Sequence, residues 1–322
     1  MLKRTNPGEF PVINQAYNTV FEPNKLSIGL VLPIEAYPVG AEPAMETHLE
    51  TAKLAEELGF SALWLRDVPF NVPSFGDAGQ MFDPYVYLGT LAAVTTNIAL
   101  GTASIILPLR HPAHVAKAAA TADVLSRGRL LLGVASGDRP EEYPALQKSF
   151  IDRGERFRDS FDYIRAVANS YPHYEGTQGV LAGNIDMLPK PVGGQVPILI
   201  TGGSQQSPDW VAQNGDGWMT YPRDTSSQAR VIKEYRSRIA DAGIQNKPVM
   251  QSLYVDLQDD AEAPPRPIHL GFQSGVGFLR EYLTQLRELG INHVALNLRF
   301  NQANIQTTLQ RLANELLPTF KH

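Results

Sequence analysis

The sequence predicts an α/β fold in which eight parallel strands, alternating with helices, close into a (β/α)8 barrel that takes up residues 1–322 as one domain. Three observations carry this reading. Eight short runs are apolar almost throughout, as strands buried on both faces require. The segments between them place apolar residues three and four apart, the helical spacing, and strands alternating with helices imply a parallel sheet. No strand runs into a Gly-x-Gly-x-x-Gly turn, the fingerprint of an open dinucleotide-binding sheet, so closure is favoured.

The first run is 26–32 (LSIGLVL), followed by a helix over 45–58 that stops at Gly59. The second strand is 62–66 (ALWLR), and the third, 98–107 (IALGTASIIL), is interrupted only by small residues. Pro112 opens the next helix at its first turn, 115–125 continues it with strong helix formers, and Ser126-Arg127-Gly128-Arg129 closes it. Strand four is 130–134 (LLLGV). Strands at 197–201, 217–220, 248–257 and 293–298 complete the set, with helices at 153–169, 208–214, 228–242, 278–289 and 305–317. The phrases Glu57-Leu58-Gly59-Phe60 and Glu288-Leu289-Gly290-Ile291 mark the same event, a helix halting at Gly just before a strand. Three connections are long. Residues 69–84 and 259–277 follow the C-terminal ends of strands two and seven, and both are expected to cover a pocket at that face. Residues 171–195 enter strand five from the opposite end and are expected to be structural.

Composition narrows the chemistry. There is no cysteine, which excludes disulfides, thiolate nucleophiles, iron–sulfur ligation and Cys-based zinc sites. Formal net charge is −5 and basic residues do not form runs, so neither nucleic acid nor an anionic membrane is expected as a partner. The first ten residues are polar, and no apolar run nears the roughly 20 residues of a spanning helix. A cytoplasmic protein with a small-molecule partner is expected. The seven histidines include no i, i+4 pair with a carboxylate partner, so no metal site is expected. No G-x-S-x-G elbow lifts a serine nucleophile.

In a barrel the chemistry sits where strands end. Residues 197–218 bring a strand into Gly202-Gly203-Ser204, and Ser207-Pro208 opens the next helix. This suits a phosphate cradle built from amides and hydroxyls, or a tight turn in which Ser207 is merely an N-cap. Ser136-Gly137, at the end of strand four, is placed to add donors to the same anion. Asp67 follows strand two, where it either faces the pocket or pairs with Arg66 or Arg110. His111, beyond the strand-three exit, is a candidate ligand contact. Glu141 and Glu142 are either acid–base groups or solvated loop carboxylates.

These motifs together resemble the bacterial luciferase-like flavin monooxygenases and their deazaflavin-dependent relatives, over about residues 26–317. The specific parts are Leu100-Gly101-Thr102 through Leu107-Pro108-x-x-His111-Pro112, then Asp123-x-x-Ser126-x-Gly128-Arg129 and Gly133-Val134. Gly202-Gly203-Ser204 and Asn214-Gly215-Asp216-Gly217-Trp218 complete them. The resemblance implies a barrel that holds its cofactor at the strand C-termini. A strand-three bulge at Ala103-Ser104, with a non-proline cis peptide, would support the ring, and Ser136, Gly202, Gly203, Ser204 and Ser207 would hold the phosphate. Reduced FMN, delivered by a separate flavin reductase, would then act as co-substrate with oxygen and oxygenate a small organic substrate through a flavin hydroperoxide. Asp67, Arg110 and His111 would orient substrate or peroxide. A deazaflavin-dependent hydride transfer and a non-catalytic flavin-binding role are the alternatives, and a homodimer or higher homo-oligomer is implied.

The sequence also departs from the luciferases. Arg66-Asp67-Val68 stands where they carry Glu-His-His, Ala135 replaces a cysteine and Ser136 replaces an arginine. A carboxylate does not simply replace an imidazole, so light emission and luciferase-type aldehyde chemistry are not expected.

Overall fold

In the computed structural model, which describes residues 9–320, the strands pair edge to edge and close. They are β1 (Ser27–Val31), β2 (Ala62–Leu65), β3 (Ala99–Thr102), β4 (Leu130–Ala135), β5 (Ile198–Thr201), β6 (Gly217–Thr220), β7 (Val249–Leu257) and β8 (His293–Asn297). Each pairs in parallel with the next, and β8 returns to β1 with Ser27 opposite His293 and Leu30 opposite Leu296. The helices are α1 (Gln15–Val20), α2 (His48–Glu57), α3 (Pro84–Val94), α4 (Pro112–Leu125), the single turn α5 (Glu142–Ala145) and α6 (Arg153–Ala166). They continue with α7 (Pro208–Asn214), α8 (Thr225–Asp241), α9 (Val276–Glu288) and α10 (Ile305–Arg311). The expected (β/α)8 barrel is therefore the fold. Among the described residues no helix is long and apolar enough to cross a membrane.

Strand parity divides the apolar residues into two cores. Leu63, Leu65, Leu132, Val134, Val294 and Leu296 point outward into the layer shared with the helices. Ala62, Trp64, Ala99, Leu131, Leu199 and Ala295 point into the barrel. Interior space is tight enough to dictate residue size. A Cβ on Gly101 would lie 2.3 Å from the Trp64 ring, so the small residue of β3 is what admits the large one of β2.

The expectations need correction in four places. The run read as one strand over 98–107 stops at Thr102 and resumes as Ile105–Ile106 beside β4, with the interruption at Ala103-Ser104 where the resemblance expected a bulge. Gly101 lies opposite Leu131 and Ile105 opposite Val134, so four steps on one strand match three on the other. That extra residue makes a β-bulge. Helix α3 lies just beyond a stretch expected to be loop. Asp83 caps it by accepting from the Tyr85 and Val86 amides and Pro84 takes its first turn, while apolar residues on every side hide the helical period. Helix α1 was not anticipated either. With Phe10, Ile13 and Phe21 it packs onto the interior core, bringing Ala16, Tyr17 and Val20 against it. Last, the helix expected over 305–317 changes to a π turn at Leu312–Leu316. The long connections carry hairpins, His173–Gly176 with Gly179–Ala182 and Arg266–Ile268 with Gly271–Ser274. The second hairpin adds to β7 outside the barrel.

Candidate active site

A cavity of about 880 Å³ is lined by residues at the C-terminal ends of the barrel strands and by the loops that follow them. Ala103 and Ser104 line it at the β3 bulge, and the peptide bond between them is cis. Two devices hold the bulge. The Ser104 hydroxyl bonds the Thr201 hydroxyl across from β5. Asp67, whose side chain has no exposed area, accepts from the Ile106 amide at 3.1 Å through Oδ2. The same carboxylate takes Arg110 in a fork, Nε to Oδ2 at 2.9 Å and Nη2 to Oδ1 at 2.8 Å, the bidentate geometry of a strong charge-assisted pair. Asp67 lines the cavity, whereas Arg110 lies behind it and also reaches Asp83 at 3.0 Å. Of the two partners foreseen for Asp67, Arg110 is the one it takes.

A loop shaped to receive an anion follows β5. Gly202, Ser204 and Gln205 have φ of 54°, 44° and 61°, a region sparsely used by residues with a side chain. The Ser204 hydroxyl donates back to the Thr201 carbonyl at 2.8 Å, so it closes the turn. At Gly203 a Cβ would meet nothing nearer than the Gln206 carbonyl oxygen at 3.7 Å, which leaves open space beside the backbone. Ser136, Gly202, Gly203 and Ser204 all line the cavity, and Arg153 adds a positive charge to the same wall. Besides Arg110, two expected site residues fall outside the lining. Ser207 is the N-cap of α7, accepting from the Trp210 amide at 3.2 Å. His111 is exposed and caps α4, where Nδ1 accepts from the Ala113 amide at 3.2 Å. Among the described residues no cluster of three or more His, Asp or Glu is placed to hold a metal ion.

The loop after strand two covers the cavity as expected, but the residues that fasten this roof were not foreseen. Its hub is Asp77. Oδ2 takes Arg66 Nη1 at 2.6 Å and Arg299 Nη1 at 3.0 Å, while Oδ1 accepts from the Tyr37 hydroxyl and the Gly79 amide, each at 2.9 Å. Arg299 also donates to the Gly76 carbonyl at 2.7 Å and the Pro38 carbonyl at 3.2 Å, which ties the loops after β1, β2 and β8 together. Burial alone would raise the Asp77 carboxyl, but Arg66, the Gly79 amide and Arg299 outweigh it and hold it well below the usual carboxylate range. Arg139, from the loop after β4, donates to the Asp77 carbonyl at 3.1 Å, and its guanidinium carbon lies 4.1 Å from the Phe75 ring centroid. Glu142, one of two loop carboxylates that sequence could not separate, is buried against this roof. Burial pushes its carboxyl up to about 7 despite the nearby Arg139.

With this geometry in view, the likeness to known proteins is specific. The profile of the luciferase-like monooxygenase family matches residues 26–299, and the chain belongs to that family. An uncharacterized protein of Mycobacterium tuberculosis is 33% identical over 198 residues, covering 55% of this chain and 68% of the relative. Among solved structures, an F420-dependent secondary alcohol dehydrogenase in complex with an F420–acetone adduct superposes with a TM-score of 0.76. It is 18% identical, over 92% of this chain and all of the other. The oxygenating constituent of 3,6-diketocamphane monooxygenase from Pseudomonas putida, in complex with FMN, gives 0.72 at 17% identity over 92% and 99% of the chains. The last two share the fold. Deazaflavin and flavin both occur among such enzymes, and the chain is a luciferase-like oxidoreductase by descent.

Proposed function

We propose that this protein is an FMN-dependent monooxygenase that uses reduced FMN, supplied by a separate reductase, and oxygen to oxygenate a small organic substrate. One observation carries the reading: a bulged backbone of small residues at Ala103–Ser104 and an anion-shaped loop at Gly202–Gln205 line the same cavity. The residues fit the cofactor. Small side chains at 103 and 104 let a flat ring approach the backbone, Gly203 leaves room for a phosphate, and Ser136 and Arg153 offer it donors. A volume near 880 Å³ falls within the range of about 300–1,000 Å³ typical of small-molecule sites.

When bound, the flavin supplies the redox chemistry with oxygen, and the chain supplies position and exclusion of water. Asp67 fixes the bulge through the Ile106 amide and is itself fixed by Arg110, so both act as positioning residues. The Asp77 hub keeps the 69–83 loop over the cavity. Titration of the purified protein with FMN, anaerobic FMNH2 and F420, followed by absorbance and thermal stability, tests the assignment. Preferential stabilisation by either flavin form supports it. Preference for F420 assigns hydride transfer instead, and stabilisation without turnover of any substrate leaves a flavin-binding protein.

A further inference from the structure

The wall of the cavity that faces the β3 bulge carries polar groups the proposed cofactor site does not use. In a closed barrel of eight strands β7 stands opposite β3, and β8 opposite β4. Side chains alternate along both strands: Met250 and Ala295 belong to the interior core, Leu253, Val294 and Leu296 to the outer one. The same parity turns Ser252 and Asn297 inward, and both line the cavity. Ser252 pairs with Ala295 and Tyr254 with Asn297, so the two residues sit on adjacent strands, two steps apart, with Cα atoms about 8 Å from each other.

Both groups are free to bind. Ser252 is half-buried between two fully buried neighbours, Gln251 and Leu253, so its remaining surface opens into the barrel. Among the described residues its hydroxyl has no hydrogen-bond partner. Asn297 is only 4% exposed, and its Oδ1 accepts from the Arg299 amide at 3.0 Å. A backbone N–H can only donate, so the oxygen is the end turned to Arg299 and the NH2 is the end left over, with no acceptor among the described residues. Tyr254, by contrast, already gives its hydroxyl to Asp77 at 3.3 Å. The other inward side chains here, Val31, Met250 and Ala295, are apolar.

The ring platform at 103–104, the anion-shaped loop at 202–205 and Ser136 all belong to the β3–β5 half of the cavity, which leaves the β7–β8 wall to the second reactant. We propose that Asn297 and Ser252 form the polar subsite for the organic substrate, across the cavity from the ring platform. Asn297 donates to an acceptor oxygen or nitrogen, and the Ser252 hydroxyl, donor and acceptor at once, takes a second polar function of either kind. The substrate is then a compact, mainly apolar molecule with two polar functions along one edge. The assignment rests on the flavin reading of this cavity.

Three probes of one shape test it: toluene, 4-methylpyridine N-oxide and 4-(hydroxymethyl)pyridine N-oxide, which offer no polar function, one acceptor and two functions. Binding is followed by ligand-observed NMR, on FMN-saturated protein and on protein without flavin, and thermal melting confirms that each variant folds. Asn297→Leu should weaken both N-oxides at least about fivefold, as loss of one net hydrogen bond requires, and leave toluene unaffected. Asn297→Asp, which keeps an oxygen for the Arg299 amide but has no NH2, should do the same and serves if the leucine variant does not fold. Ser252→Ala should weaken only the hydroxymethyl compound, about threefold. FMN affinity should hold in all three variants. Unchanged N-oxide affinity in a folded Asn297 variant overturns the proposal, as does failure of the wild-type protein to bind either N-oxide. A fall in FMN affinity as large as the fall in probe binding also overturns it, because the pair would then belong to the cofactor. Failure of the wild-type protein to bind FMN defeats the flavin reading instead, and the probes on protein without flavin still decide whether Asn297 and Ser252 bind a ligand.

Discussion

Two buried polar groupings, one at each end of the barrel, are satisfied differently. At the N-terminal end Trp64 Nε1 donates to His293 Nε2 at 2.8 Å, His293 Nδ1 meets the Ser27 hydroxyl at 2.6 Å, and Ser27 donates to the Val20 carbonyl at 2.7 Å. Every member of that chain has a partner, and Nε2 must be the unprotonated nitrogen. Arg129 behaves likewise, giving its donors to Thr95, Ile98, Ala92 and Ser126. At the C-terminal end Arg139 and Glu142 keep orphaned atoms, and the loop after β5 uses positive φ at two residues that bear side chains. Equal burial thus goes with unequal satisfaction. A saturated network specifies the fold, whereas unpaired buried atoms are left at a cost in stability.

That contrast can be broken most forcefully at Trp64. Truncation to Ala should cost about 3–5 kcal/mol by removing a fully buried indole and leaving His293 Nε2 without its donor, read from the denaturant midpoint. A loss below about 1 kcal/mol would mean that the closed end is not tightly packed.

Acid should also injure the closed end. Burial lowers the His293 pKa from 6.5 to about 3, so between these values the unfolded chain binds the extra proton and the folded chain does not. Stability should therefore fall as pH drops below 6.5, by up to about 1.4 kcal/mol per pH unit from this group. Equilibrium unfolding across pH 4–7 checks it, and His293→Gln should flatten the slope. Glu142 has the reverse sign. Its folded pKa of about 7 lies above the usual 4.5, so the unfolded chain releases the proton first and stability is lost as pH rises from 4.5 to 7.

At the loop after β5 a binding effect without a stability effect is expected. A Cβ at Gly203 meets nothing nearer than 3.7 Å, so in Gly203→Ala the melting temperature should hold while FMN affinity falls at least about tenfold, or about 1.4 kcal/mol. Glu142→Gln should stabilise the protein by about 1 kcal/mol at pH 8 and by almost nothing at pH 4, because only the ionised carboxylate resents burial. The smallest effect is expected at His111. Replacement by Ala removes an exposed helix cap, with about 0.5 kcal/mol lost and FMN affinity unchanged. A large loss of FMN affinity there would return His111 to the cofactor site.

Much of the scaffold was legible because its signals are local. The β4 strand, 130–134 in the reading and Leu130–Ala135 in the structure, declares itself by an apolar run ending in small residues, and α7 by Ser-Pro at its start. Helix α3 escaped because a helix apolar on all sides has no face to detect, and α1 because six residues carry too little period. At the site, small residues at 103–104 and glycines at 202–203 could be read directly. Three expectations fell outside the cavity: Arg110 stands behind Asp67, while Ser207 and His111 are helix caps, and a capping residue looks the same in sequence whether or not a ligand lies beyond it.

The sequence by itself therefore determined the order of eight strands, the closure of the barrel and the family, since each is written in neighbouring residues or in spacing along the chain, while the place of the bulge came through the family resemblance. Only the tertiary structure decided which charges meet. Asp67 takes Arg110 rather than the adjacent Arg66, and Arg66 joins Arg299 on Asp77, a pairing between distant parts of the chain. Burial of Glu142 and the orphaned atom of Arg139 have the same origin. The environment of a side chain is set by what barrel closure brings over it, and no local pattern records that.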